Sequence, residues 1–263
     1  MSALVGRRVV VTRADEQADA TSDLLTASGA VPIRCPTIRI AAPASYAVLD
    51  TALARLDAYD WVVFTSANGV RTVLARTEEL GAGVARWAAR EVAAVGRVTA
   101  TALEERGVPV AYVPSVEGSR GLAESLPDVV GRSVLLAIGD KADPLLGRVL
   151  RERGARQVDI VTAYVTVPVA PDGAALRELR KGVDAITFTS PSTVAGFVAV
   201  GPEWPGLVRG AVVATIGPTT TTAARRAGLG VDAEARERSA FALIEAVADA
   251  LTTGSKARTG GVR

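Results

Sequence analysis

The chain contains no histidine and a single cysteine, Cys35. Together these shortages exclude Ser-His-Asp and Cys-His catalysis, histidine-based metal sites, zinc clusters and intrachain disulfides, so no metal is expected. Catalysis has to rest on tyrosine, carboxylates, lysine, arginine, hydroxyls or the backbone. Cys35 lies near Val31, Ile33 and Ile38 with no imidazole to activate it, and reads as a buried structural thiol. Aromatic residues are scarce at 4%, too few for base-stacking platforms. Neither sign of charge dominates: 30 Lys and Arg stand against 28 Asp and Glu, and Lys256, Arg258 and Arg263 at the end more than supply the net +2. A nucleic-acid partner is therefore not expected. No apolar run approaches the roughly 18 residues of a membrane span. The strand-like run Val9-Val10-Val11 follows two arginines too early for the apolar stretch of a signal peptide, which points to a cytoplasmic location.

What is present is a globular composition, 49% hydrophobic over 263 residues, enough for one large domain or two small ones. Short apolar runs alternate with helical patterns: Arg8 to Val11, Trp61 to Phe64, Val92 to Val95, Val134 to Ile138, Ala185 to Phe188 and Ala211 to Ala214. Unbroken runs of this kind suit strands covered on both faces, as in parallel α/β sheets. Asp15 is expected to cap a helix ending at Gly29, and Ser239 one carrying Phe241, Leu243, Ile244, Val247 and Leu251. Residues 252–263, rich in Gly, Ser and Thr, read as a disordered tail.

The chain also repeats itself. Phe64-Thr65-Ser66 recurs 124 positions later as Phe188-Thr189-Ser190, and Val95-Gly96 recurs 121 positions later as Ile216-Gly217. Gly29 matches Gly154, and Ser119, a second expected cap, matches Ser239. Two similar halves follow. In each, a strand ends in Thr-Ser or Gly and a helix begins, with Pro191 and Pro218 at first helical positions in the second half. Helix starts expose N–H groups at the positive end of the dipole and receive anions. Ligands of open α/β sheets gather at the carboxyl ends of strands, and those of two lobes can face one another across a cleft. The candidate lining is Ser66, Asn68, Gly96, Thr99, Ser190, Ser192, Gly217, Thr219 and Thr220, with ordinary helix capping as the alternative. The run Thr219 to Thr222 favours a ligand role, because β-branched hydroxyl residues are poor helix formers.

These segments resemble the uroporphyrinogen-III synthase family over nearly the whole chain. The resemblance is carried by Val11-Thr12-Arg13 with Gln17-Ala18, Phe64-Thr65-Ser66, Ala94-Val95-Gly96 with Thr99, Thr162-Ala163-Tyr164, Phe188 to Ser192 and Ile216 to Thr220. It implies two α/β lobes, each a parallel sheet flanked by helices, joined by a two-stranded connector, with the first strand-helix unit swapped onto the C-terminal half. Here that assigns 1–34 plus 168–251 to one lobe, 40–162 to the other, and 35–39 and 163–167 to the connector, stiffened by Pro36 and Pro168.

It further implies a cofactor-free lyase that dehydrates and cyclises hydroxymethylbilane with inversion of ring D, through a spiro intermediate. The substrate would be a small molecule handed over by hydroxymethylbilane synthase to a monomeric enzyme. Tyr164 matches the family's cleft tyrosine, whose phenol can protonate or hydrogen-bond the departing hydroxyl; a packing tyrosine is the alternative. Arg13 would pair with a substrate carboxylate or with Asp15 or Glu16. Arg97 after Gly96 departs from some relatives. Two alternatives come from other classes: a two-lobed anion-binding protein, which would predict an export signal, and a nucleotide-dependent α/β enzyme suggested by Gly228-Leu229-Gly230-Val231-Asp232-Ala233, a pattern that here ends a helix and leads into a strand, so that Gly228 reads more simply as a helix terminator.

Overall fold

A computed structural model describes residues 2–201 and 204–259. The chain divides into two compact units, Met1–Arg39 with Val167–Arg263, and Ile40–Thr166. Among the described residues ten strands are distributed between them: β1 (Arg8–Val11), β2 (Val31–Arg34), β3 (Ile38–Ala41), β4 (Trp61–Phe64), β5 (Glu91–Ala94), β6 (Ser133–Gly139), β7 (Gln157–Pro168), β8 (Ala185–Phe188), β9 (Val212–Thr215) and β10 (Ala233–Glu234).

The first unit holds a parallel sheet of order β10-β9-β8-β1-β2. Successive residues of a strand point to opposite faces. Val10, Ile186 and Phe188 accordingly join a core cluster with Phe197 and Trp204, while Val9, Val11 and Ala185 join one with Leu25, Leu243 and Val247. Both faces are covered by helices, which is why these strands read as continuous apolar runs. The N-terminal strands β1 and β2 belong to this sheet beside β8, so its residues come from both ends of the chain.

The second unit's sheet has the order β3-β7-β6-β4-β5, in which β7, β6, β4 and β5 run parallel. Val62, Phe64 and Leu135 pack to one face with Trp87 and Leu103, and Trp61, Val63 and Leu136 to the other with Leu122 and Leu150. The chain passes from one unit to the other within β3 and again within β7. The duplication is visible strand by strand, since β9-β8-β1-β2 corresponds to β5-β4-β6-β7. Gly29 and Gly154 both close a helix at positive φ, 78° and 90°, and their carbonyls accept from Gly6 N and Gly131 N at 2.8 Å each. Asp184 accepts from Arg7 Nη1 and Arg8 N at 2.8 Å, while Asp60 accepts from Arg132 Nη1 at 3.0 Å and Ser133 N at 2.8 Å.

Several local expectations change. Asp15 does not cap the first long helix: it lies in a 3₁₀ turn, Asp15–Gln17, and the helix Asp19–Ala27 follows with Ala18 at its N-cap and no side-chain cap. The tight turn displaces the helix start beyond the reach of Asp15. Ser119 is the first residue of the helix Ser119–Ser125, whose N-cap is Gly118, whereas Ser239 Oγ does accept from Ala242 N at 3.1 Å. The last helix runs from Ala240 to Thr259, beyond the expected start of a disordered tail. Thr252 and Thr253 continue it by donating to the Ala248 and Asp249 carbonyls at 2.9 Å; the rest of that tail, 260–263, lies outside the described residues. Gly228, in contrast, is the helix terminator expected: at φ 80° it closes the helix Pro218–Arg226 and precedes β10, the reverse of the strand-to-helix context a dinucleotide loop needs.

Candidate active site

In the second unit, β4 ends at Phe64 and Ser66 takes an extended conformation to cap the helix Ala67–Glu79, its Oγ accepting from Gly69 N at 3.0 Å. The same hydroxyl lies 3.0 Å from Tyr164 Oη, and either oxygen can donate. Tyr164 is half-buried on β7. Its direction is set by a register shift: Ile138 pairs with Thr162, but Gly139 pairs with Tyr164, so one residue of β7 is skipped. Gly139 is required beneath the ring, because a Cβ there would stand 2.6 Å from Tyr164 Cζ. Asp140 N donates to the Tyr164 carbonyl at 3.1 Å and the Asp140 carboxylate accepts from Thr166 N at 2.8 Å, fixing the backbone on both sides of Val165. Sequence reasoning missed Gly139 as a site residue; the signal was a glycine closing the apolar run Val134 to Ile138. Asn68, the second residue of the helix, is half-buried and its Oδ1 accepts from Arg71.

The second turn of this unit follows β5. Gly96 is buried and Thr99 is 4% exposed, its amide committed to the Gly96 carbonyl at 3.1 Å. At the start of the helix Arg97–Glu104, the Arg97 amide donates to Glu117 Oε1 at 2.7 Å. Glu117 was not singled out in the sequence, where it is one exposed carboxylate among many.

In the first unit, Ser190 forms a capping box at the start of the helix Pro191–Ala199: Ser190 Oγ accepts from Thr193 N at 3.2 Å, and Thr193 Oγ1 accepts from Ser190 N at 3.3 Å. Ser192, two residues after Ser190, is half-buried. Gly217 caps the helix Pro218–Arg226 without a side-chain bond, Thr219 is exposed, and Thr220 is 2% exposed with its amide on the Gly217 carbonyl at 3.0 Å. Part of the threonine run is structural: Thr221 Oγ1 meets Thr215 Oγ1 at 2.6 Å and donates to Glu234. Arg13 is half-buried after β1, and its Nη2 donates to Gln17 Oε1 at 3.2 Å.

Cys35 is 1% exposed in the core of the first unit, and burial, with the charge of Asp172 adding to it, pushes its thiol up to about 12. A groove of about 1240 Å³ in the same unit runs beside the last helix, past Arg7, Asp184 and Glu245, and none of the sequence-predicted site residues lines it. Among the described residues, no helix is long and apolar enough to cross a membrane.

Duplicated parallel sheets with hydroxyl- and glycine-capped helix starts, and a tyrosine set against one of those caps, define a class of two-unit α/β proteins. Within that class, the family model described as uroporphyrinogen-III synthase HemD matches residues 19–245. The uroporphyrinogen-III synthase of Synechococcus elongatus is 30% identical over 93% of this chain and 95% of its own length. The porphyrin biosynthesis protein HemD of Ruminiclostridium josui is 28% identical over 86% of this chain and 45% of its own length. A crystal structure of a mutant uroporphyrinogen III synthase from the extremely thermophilic bacterium Thermus thermophilus shares the fold with a TM-score of 0.65 at 23% identity, covering 94% of this chain and all of that one. The chain belongs to the uroporphyrinogen-III synthase family.

Proposed function

We propose that this protein is a uroporphyrinogen-III synthase, a cyclising lyase of tetrapyrrole biosynthesis that converts hydroxymethylbilane to uroporphyrinogen III and water. The observation that carries the mechanism is the 3.0 Å contact between Ser66 Oγ and Tyr164 Oη. Because Ser66 Oγ already accepts the Gly69 N–H, its own proton can be given to Tyr164 Oη, which leaves the phenol proton free for the substrate. In this reading Tyr164 donates that proton as the C–O bond of the hydroxymethyl group breaks, and water leaves. The freed methylene carbon is attacked by the substituted carbon of ring D, and rearrangement of the resulting spiro centre inverts that ring. The proton released on rearomatisation returns to the phenolate, so the enzyme ends unchanged.

Closure without inversion needs only the unsubstituted carbon, so holding the chain bent is the larger task. The carboxylate arms of the substrate are received by helix-start N–H groups and hydroxyls at Ser190, Ser192, Gly217 and Thr219, with Asn68 and Arg13 as further polar contacts. Thr99 and Thr220 are buried with their amides on the Gly96 and Gly217 carbonyls, and Gly96 belongs to the turn filled by Glu117. The substrate is taken from hydroxymethylbilane synthase by a monomer in the cytoplasm.

The test is to supply freshly prepared hydroxymethylbilane and separate the oxidised type I and type III products by chromatography. Type III product above the spontaneous background supports the proposal, and type I alone overturns it. Sedimentation at working concentration checks the monomer.

A further inference from the structure

β6 ends at Gly139, but the stretch of β7 that carries Tyr164 continues past it to Pro168. The chain turns away at that point, the Gly139 carbonyl accepting from Ala142 N at 3.1 Å. In a regular parallel ladder, a residue opposite Val165 would donate its N–H to the Tyr164 carbonyl and accept the Thr166 N–H on its own carbonyl. Asp140 meets the first half of that pattern with its backbone, donating to the Tyr164 carbonyl at 3.1 Å. Its side chain meets the second half, Oδ1 taking the Thr166 N–H at 2.8 Å. The carboxylate thus stands in for a strand carbonyl and extends the ladder of β6 and β7 while the main chain leaves the sheet. Its other oxygen lies 3.2 Å from Lys141 Nζ, and the side chain is 23% exposed.

These bonds lie just beyond the register shift. Pairing runs regularly from Ser133 with Gln157 to Ile138 with Thr162; Gly139 then pairs with Tyr164, and Ala163 is passed over. A slip of one residue along a strand moves its side chains to the opposite face of the sheet. The phenol therefore reaches Ser66 only while the shifted register is held. The regular pairs hold β7 before the shift, and the two bonds from Asp140 hold it after.

We propose that Asp140 is a positioning residue for Tyr164: its carboxylate, acting as a surrogate strand carbonyl, locks the shifted register of β7 and keeps the phenol on Ser66. The consequence for turnover rests on the bilane reading given above; the placement of the ring does not.

Asp140→Ala removes the acceptor of the Thr166 N–H. An interaction that serves only the transition state lowers kcat and kcat/KM together, so kcat is expected to fall about tenfold or more with KM constant to within about twofold. Asp140→Asn keeps an oxygen for Thr166 and gives up only the pairing with exposed Lys141, so it is expected to recover most of the rate. A general loss of stability would lower the rate in any background, whereas a displaced phenol has no effect once the phenol is gone. In Tyr164→Phe protein, Asp140→Ala is accordingly expected to change kcat by less than about twofold. In ¹³C-tyrosine-labelled protein, the Tyr164 ring resonances, identified by their loss in Tyr164→Phe, are expected to move in Asp140→Ala and to keep their wild-type positions in Asp140→Asn. Ring resonances that do not move in Asp140→Ala overturn the proposal, whatever the rates. So does Asp140→Asn as impaired as Asp140→Ala, and so does an Asp140→Ala effect that is undiminished in the Tyr164→Phe background. A wild-type protein that makes no type III product sinks the bilane reading instead, and the ring resonances still decide the role of Asp140.

Discussion

Tyr164 Oη lies 3.0 Å from Ser66 Oγ, which joins the one hydroxyl that caps the helix after β4 to the one tyrosine of β7. The corresponding cap in the other repeat, Ser190, bonds within its own helix turn to Thr193. The duplication therefore supplies two equivalent caps, and only the second unit adds a phenol to one of them. Replacing Tyr164 by Phe removes a proton donor while keeping the ring on Gly139. Turnover is expected to fall by about 100-fold or more, the usual scale for losing a general acid. Loss of one neutral hydrogen bond costs about 1 kcal/mol, or about 3 °C in Tm. Steady-state kinetics alongside thermal unfolding separate the two effects; unchanged turnover would show that water departs without the phenol.

Gly139→Ala tests the same pair from below. The added Cβ would approach Tyr164 Cζ to 2.6 Å, far inside van der Waals contact, so the ring has to leave Ser66 or the strands have to part. Overpacking of this kind costs about 1–3 kcal/mol. Activity is expected to drop as far as in Tyr164→Phe, with a larger fall in Tm. Wild-type activity in a stably folded Gly139→Ala protein would contradict the placement of Tyr164.

Cys35 makes stability depend on alkaline pH. Its thiol is pushed from 9.0 to about 12 by burial and by Asp172. In the unfolded chain the thiol ionises as pH rises through its ordinary value, while in the folded chain it stays protonated. The unfolded state then binds fewer protons, and stability falls with pH between those two values. Below them the contribution is fully present. Urea midpoints measured from pH 8 to 10.5 are expected to decline less steeply in Cys35→Ala, which starts from a lower stability because it leaves a cavity. Iodoacetamide is expected to leave the native thiol unmodified at pH 8 and to label it in urea.

Asp60 contributes to the acid limb. The Ser133 N–H holds its carboxyl below the usual value of 3.8, burial opposes this, and Arg132 reinforces it. A carboxylate held low stabilises the fold above its unfolded value, and that stabilisation is lost as pH falls through the folded value. Asp60→Asn is expected to lose about 1 kcal/mol at pH 7, discounted for partial exposure, and to show a flatter decline towards pH 3. Denaturant titrations of the two proteins across that range measure both.

The sheets were legible because their strands are buried on both faces. Val9-Val10-Val11 and Trp61 to Phe64 are apolar at every position, and in the structure alternate residues enter separate clusters above and below each sheet. The repeats at Ser66 and Ser190, and at Gly96 and Gly217, were legible because a strand-to-helix turn needs a cap or a glycine at a fixed place. Asp15 and Ser119 do not act as caps for a related reason: a capping residue type identifies a helix start only to within a few positions, and the 3₁₀ turn at Asp15–Gln17 and the glycine at 118 shift it.

Composition and local pattern alone decided that catalysis here is free of imidazole, that the chain forms parallel α/β sheets, and that helix starts recur in two copies. These are consequences of residue type and short-range spacing, which act along the chain. Tertiary structure decided that β1 lies beside β8, that the skipped residue of β7 aims Tyr164 at Ser66 over Gly139, and that Glu117 covers one glycine turn while Arg238 covers the other. Those are contacts between residues far apart in sequence. Their geometry depends on strand order, register and the close approach of backbone segments, and none of these is encoded in the local pattern that marks a strand or a cap.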